Sequence, residues 1–415
     1  MPPRASKDKL RHNPNRLAMS ENMYLVRAPL LDPKQQVVGY RLAWDRAEGT
    51  SEGSEGVRQL LDLVAERTQA AELGLLFLDA GRGVPSGGVG AGTAPKNTVL
   101  LLDCPDLTQD SASGMASLRE RGFLLALRGA DMPFMELHAA TLLGLATHLV
   151  LPVDHPDFAA ITALARQVEP PLPVVAQDFP GWREFDACAP LGVSGFFENL
   201  CATPRPQHAG AALSPQAVFI LQLMQMVQEN ADVRHIESVL KRDAALSYKL
   251  FRYINSPGFG IEVEIESLRH AVTMLGYTPL FRWLSVLLAT TNTTGYSHAL
   301  LQAAIVRGRF AELLGKDLLP RSEAEHLFFV GMFSLLDQLL GIPLQKVVSQ
   351  ILLPDAVVQA LLNREGVYGP FLALVEACER RDSRVAELAE SLFMTSTRVN
   401  QAHLAALAWA HTVSL

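Results

Sequence analysis

The chain has 415 residues, of which 49% are hydrophobic and 19% charged. That apolar share excludes a disordered chain, and at roughly 150 residues per domain the length implies two or three cores. Thirty-six basic against 43 acidic residues leave a formal charge of −7, which argues against a global electrostatic grip on nucleic acid. No apolar run approaches the roughly 20 residues of a membrane helix. No apolar stretch follows the basic opening MPPRASKDKLRHNPNRLA, so a cytoplasmic protein with a disordered tail over residues 1–18 is expected. Cys104, Cys188, Cys201 and Cys378 form no CxxC pair and read as free thiols.

In chain order, MYLVRAP (23–29) and VVGYRLAW (37–44) flank the turn LDPKQQ and predict a hairpin. Six short apolar runs follow: LLFLD (75–79), TVLLLD (98–103), FLLALR (123–128), HLVLPV (148–153), PVVAQ (173–177) and VSGFF (193–197). Stretches 57–72, 109–121, 132–144, 156–168 and 182–190 lie between strands and carry helical spacing. Strand and helix alternating at this rate predict parallel β/α units. Eight strands predict a TIM-like (β/α) barrel over residues 19–200, truncated or modified because the span is short of the roughly 250 residues typical of that fold. GRGVPSGGVGAGTAPKN, between the third and fourth strands, is too rich in Gly and Pro for a helix. It is no phosphate-cradling loop either, since it leads into a strand instead of a helix N-terminus.

CATPRPQHAGAALSP supplies a linker, placed at 201–213. From 214 to 415 strand patterns nearly vanish and an all-α domain is expected. PQAVFILQLMQMVQE (215–229) is apolar almost all round and should be buried, with Met224 and Met226 as core filling. Asp243 should N-cap DAALSYKLFRYI, whose Leu246, Leu250 and Ile254 share a face. NSPGFG (255–260) stops that helix, and SLRHAVTMLG (267–276) should end with Gly276 just past its last turn. The basic residues Arg121, Arg128, Lys241, Arg242, Arg252, Arg269 and Arg282 read first as solvated faces.

YLVRAPLLDPKQQVVGYRLAW resembles the opening of an EAL domain, the cyclic di-GMP phosphodiesterase barrel. RHIESVLKRDAALSYKLFRYINSPGFG, followed by IESLRHAVTMLGYTPLFRWL, resembles an HDOD domain, a helical relative of the HD-type phosphohydrolases. The resemblance implies an α/β barrel followed by an all-helical domain, as in EAL–HDOD signalling proteins.

The resemblance also implies lost chemistry. EAL enzymes hold two divalent cations on strand-end carboxylates, which need several oxygen ligands per cation. The name-giving glutamate aligns with Arg41, the paired aspartates with Arg128 and Gly129, and the K-x-D strand with Leu151 and Val153. A further strand glutamate aligns with Gln177, and the late Q-G pair with Phe197 and Glu198. Only Asp79 and Asp103 keep carboxylates at such strand ends. In the second half, FFVGMFSLLDQLLG (328–341), read as one helix, places Ser334 and Leu335 at the HD dyad. Asp337 lies three residues beyond, with His298 and His326 in the same region. No H-x-x-H or H-x-x-x-H pair suggests metal ligands.

The expectation is therefore no enzyme, no metal and no cofactor. The chain reads as a non-catalytic signalling scaffold acting through protein–protein contacts in a bacterial cyclic di-GMP-related pathway, with partners unidentified and the oligomeric state open, a homodimer included. The competing reading is a nucleotide receptor in which Arg27, Arg41 and Arg128, beside Asp79 and Asp103, meet the phosphates of cyclic di-GMP. Convergence of the arginines on one cavity would favour the receptor, and pairing with carboxylates would favour a structural role. A regulatory cleft is expected between barrel mouth and helical domain.

Overall fold

The structure, a computed structural model, describes residues 23–45, 54–67, 73–80, 93–138, 141–197, 213–255, 265, 267–291, 298–380 and 382–413. The N-terminal tail, all of the expected linker but Leu213, and most of the Gly-rich stretch lie outside the described residues.

Eight strands close into a barrel in sequence order: β1 (Leu25–Leu31), β2 (Val37–Trp44), β3 (Leu75–Asp79), β4 (Thr98–Asp103), β5 (Leu124–Arg128), β6 (His148–Pro152), β7 (Val174–Gln177) and β8 (Gly195–Phe197). β1 runs antiparallel to both β2 and β8, and every other neighbouring pair is parallel. Strand side chains alternate between two apolar layers. Leu30, Phe77, Val99, Leu101, Ala126, Val150, Val175 and Phe197 fill the barrel. Leu76, Leu78, Leu100, Leu102, Leu125, Leu127, Leu149 and Leu151 face outward into the main core. Burial on both faces is why these strands read as unbroken apolar runs.

The described helices of this half are α1 (Ser54–Arg67), α2 (Ser111–Glu120), α3 (Met132–Leu137), α4 (Leu142–Leu145), α5 (Phe158–Ala165) and α6 (Trp182–Cys188). The stretch expected as one helix over 132–144 is thus two short pieces, and α5 and α6 have only 8 and 7 residues. Trimmed helices, with a complete ring of strands, account for the short span.

The second half is helical: α7 (Pro215–Gln228), α8 (Val233–Leu240), α9 (Ala244–Ile254), α10 (Leu268–Leu275), α11 (Tyr277–Ala289), α12 (His298–Gly315), α13 (Arg321–Phe333), α14 (Leu336–Leu340), α15 (Leu344–Val348), α16 (Asp355–Asn363), α17 (Gly369–Arg380), α18 (Val385–Ser391) and α19 (Ser396–Thr412). Asp243 Oδ1 accepts from the Leu246 amide at 2.9 Å, the expected N-cap of α9. Leu246, Leu250 and Ile254 are buried. Gly276 takes φ +81°, a conformation in which a side chain would be strained. Asn255 amide and Ile265 backbone exchange two bonds, at 2.8 and 3.1 Å, which pins the two ends of the segment that follows the family-like INS sequence.

Two helix expectations need correction. α7 is not buried all round: Val218 is 53% exposed while Met224 is fully covered, so α7 is an amphipathic helix with a broad apolar face. Residues 328–341 are not one helix, because α13 ends at Phe333 and α14 begins at Leu336. α12 and α13 cross closely. A Cβ on Gly308 would sit 2.6 Å from Phe328 O, and one on Gly331 would sit 2.6 Å from Arg307 O. Only glycine permits that approach.

The two halves share one apolar core, since the outer layer of the barrel and the helical domain belong to the same cluster. The outer face of β1 and β2 packs on α12, α17 and α19. Among the described residues no helix is long and apolar enough to cross a membrane.

Candidate functional site

At the carboxyl ends of the barrel strands, Asp79, Asp103, Arg128 and Gln177 close β3, β4, β5 and β7, the face on which barrels of this kind carry their chemistry. Arg128 lies between the two aspartates. Its Nε and Nη2 donate to Asp103 Oδ1 and Oδ2 at 2.5 and 3.0 Å, and its Nη1 donates to Asp79 Oδ1 at 2.7 Å. Burial works against a charged guanidinium, but Asp103 and Asp79 outweigh it and hold Arg128 above its ordinary value. Arg41 donates through Nη1 to Gln177 Oε1 at 3.2 Å and lies 5.5 Å from the Phe197 ring centroid.

A two-cation centre does not fit these residues. Its two surviving carboxylates are occupied by a guanidinium, and Arg41 stands where a further ligand would be needed. Among the described residues no group of three or more His, Cys, Asp or Glu could hold a metal ion.

Arg27 is not part of this mouth, a correction to the expected trio of arginines. Leu30 belongs to the inner core, so alternation turns Arg27 outward, toward the helical domain. There it is 5% exposed and donates through Nη2 to Glu379 Oε1 at 2.8 Å. Its Nη1 meets His403 Nε2. As an arginine can only donate, His403 accepts at Nε2 and must donate from Nδ1, which faces Leu25 O at 3.2 Å. The ring is therefore neutral, and burial first and Arg27 second hold it well below the usual histidine value. It stacks on Phe310 with centroids 4.5 Å apart. Beside it, Asn400 Oδ1 accepts from Leu25 N at 2.7 Å and Asn400 Nδ2 donates to Met23 O at 2.9 Å.

Glu379 also receives Arg307, whose Nη2 and Nε donate to Oε2 at 2.6 and 3.1 Å. Burial alone would raise the Glu379 carboxyl, but Arg307 and then Arg27 hold it below the ordinary range. Arg307 Nη1 donates to Ser334 Oγ at 2.8 Å and to Glu376 Oε1 at 3.3 Å. Arg364 completes the chain through Glu376 at 3.0 and 3.3 Å. Ser334 is the residue matching the HD histidine, so a guanidinium again adjoins the place where the resemblance would put a metal. Leu335, the matching dyad partner, is an apolar residue 2% exposed. Asp337, on α14, has its carboxyl raised by burial.

The remaining candidates are dispersed. His326 Nδ1 lies 3.1 Å from the Tyr368 hydroxyl, and burial lowers it, while His298 is exposed. Arg282, expected on a solvated face, bonds Glu312 and lies 4.1 Å from the Phe328 ring centroid. Lys241, Arg242, Arg252 and Arg269 are exposed as expected. The cleft between the halves lies against the β1–β2 wall, lined by Tyr40, Gln302, Arg27, Arg307 and Glu379, instead of at the barrel mouth.

Residues 213–351 match the family model described as HDOD domain. The chain carries an HDOD domain. α16 to α19, which hold Glu376, Glu379, Asn400 and His403, lie beyond the match. The chain is 24% identical over 412 residues to the uncharacterized protein YuxH of Bacillus subtilis, covering 94% of this chain and 98% of that one. It is 34% identical over 171 residues to the cyclic di-GMP phosphodiesterase CdgJ of Vibrio cholerae, covering 41% of this chain and 40% of that one. Among solved structures, the EAL domain of Mycobacterium smegmatis DcpA is 15% identical with a TM-score of 0.35, over 43% of this chain and 91% of that one.

Proposed function

We propose that this chain is a non-catalytic signalling protein, a regulatory scaffold that works through protein–protein contacts in a bacterial cyclic di-GMP-related network. The observation that carries this reading is Arg128, whose guanidinium sits between Asp79 and Asp103. A fixed internal cation satisfies the two carboxylates that a metal centre would need, and a guanidinium cannot lower the pKa of a bound water as a divalent ion does. The HDOD match and the relative named as a cyclic di-GMP phosphodiesterase support the choice of pathway. The receptor reading loses support from the same geometry. Arg27 is committed to the helical domain and Arg128 to two aspartates.

The test is calorimetric titration of the full chain with cyclic di-GMP, with and without magnesium, beside a hydrolysis assay. The expected result is neither saturable binding nor product. Micromolar binding without turnover would replace the scaffold with a receptor, and magnesium-dependent turnover would overturn both.

A further inference from the structure

The helical half holds a chamber of about 250 Å³ between α7, α11, α13 and α16. Tyr277, Phe281, His326 and Phe329 supply its ring-bearing walls, and Val227 and Val357 are among the aliphatic ones. Phe281 and Phe329 meet edge to face at 4.9 Å. The Tyr277 ring is held by its hydroxyl, which donates to Ala231 O at 2.8 Å, and His326 by the Tyr368 hydroxyl, 3.1 Å from Nδ1. Among the described residues that line the chamber, Glu325 is the one that carries a full charge at neutral pH, because burial lowers His326 below its ordinary value. Glu325 Oε1 accepts from Arg321 Nε at 3.3 Å. The Arg321 side chain, however, is 94% exposed and lies outside the chamber lining. Water screens such a pair strongly, so the wall of the chamber stays negative.

This combination selects by charge. An anion would meet a carboxylate and no cation among the lining residues. A bare divalent ion needs several oxygen ligands, and one carboxylate is too few. An organic cation differs, since aromatic rings attract it within about 6 Å of their centroids and a carboxylate serves as its counter-ion. The chamber is smaller than the roughly 300–1,000 Å³ of a site for a drug-sized ligand, which requires a compact cation. Its aliphatic walls favour alkyl groups over a bare, strongly hydrated ammonium. We infer that the chamber binds a small alkylated ammonium ion, enclosed by Tyr277, Phe281 and Phe329 with Glu325 as its counter-ion. Neither the barrel mouth nor the proposed function enters into this site.

The test is calorimetric titration of the full chain with choline and with dimethylbutanol, its uncharged isostere. Choline should bind saturably at one per chain, and the alcohol at least about tenfold more weakly. Tyr277→Phe should keep the choline affinity, whereas Tyr277→Leu, which removes the ring, should lower it about tenfold. Glu325→Gln should weaken choline about threefold while leaving the alcohol unchanged. Arg321→Ala frees Glu325 from a competing cation and should tighten choline about twofold. Arg41→Ala, in the barrel, should leave these affinities intact. The assignment fails if the folded protein takes up no choline, if the alcohol binds as tightly, or if Tyr277→Leu and Glu325→Gln both keep the wild-type affinity.

Discussion

The barrel mouth and the junction with the helical domain use the same device, an arginine shared by two carboxylates, in different solvents. At the mouth, Arg128, Asp79 and Asp103 keep 25%, 19% and 31% of their side chains exposed. At the junction, Arg307, Glu379 and Glu376 keep 2%, 10% and 11%. Water screens the first cluster, so its net contribution is small. The second has no water to fall back on. Removing one member leaves buried charge only partly compensated, although the complete cluster need not exceed a well-packed apolar one. The mouth thus keeps charges that a partner can still reach, whereas the junction spends its charges on fixing how barrel and helices meet.

The sharpest way to break this comparison is Arg307→Ala. It leaves Glu379 with Arg27 alone and Glu376 with Arg364 alone, and should cost about 3 kcal/mol in denaturant unfolding, the low end for breaking a buried pair. A loss below about 1 kcal/mol would mean that the junction is as wet as the mouth.

Acid comes next. Burial lowers His148 from 6.5 to about 4, and His403 lies well below its ordinary value. Both stay neutral in the folded protein while the unfolded chain takes up protons below about 6.5, so stability falls as pH falls through that window. His148 alone should account for about 3 kcal/mol by pH 4. Glu379, depressed in the fold, adds a further loss as the pH drops below its ordinary 4.5. Melting temperature measured from pH 7.5 to 4 should decline throughout, and a flat profile would contradict the neutral burial of both rings.

Arg27→Ala removes one donor from Glu379 and the donor to His403 Nε2. It should cost about 1.5–3 kcal/mol, the range for hydrogen bonds to charged groups. Because the lost bonds join β1 to α17 and α19, calorimetry should show the single wild-type transition broadening or dividing. The smallest effect belongs to Arg128→Ala, at about 1 kcal/mol or less after screening. A loss matching that of Arg307→Ala would erase the distinction between the two sites.

Several features were legible from local pattern alone. The eight strands stand within two residues of the runs marked by apolar content, because a strand covered on both faces announces itself without reference to its partners. Asp243 as a cap and Gly276 as a helix end were equally local. Of the junction only Arg27 and Ser334 were marked, and for other roles; Arg307, Glu376 and Glu379 were not, yet a signal was present. Arg307 shares its helix face with Ala304 and Ala311, and Glu376 and Glu379 with Leu372, all buried. A charge set on an apolar stripe must find a buried partner, which here lies 72 residues away in sequence for Arg307 and Glu379.

The sequence by itself determined the two kinds of secondary structure, the α/β barrel followed by a helical domain, and the absence of the carboxylates that the family resemblance would require at most strand ends. Only the tertiary structure decided what each arginine does. Position 27 differs from 41 and 128 by which side of the barrel wall it faces, and that side is set by register within the closed ring. The partners then follow from helices packed more than 300 residues downstream. Local propensity reports what a segment can become, whereas a buried charge is defined by what the rest of the chain brings to it.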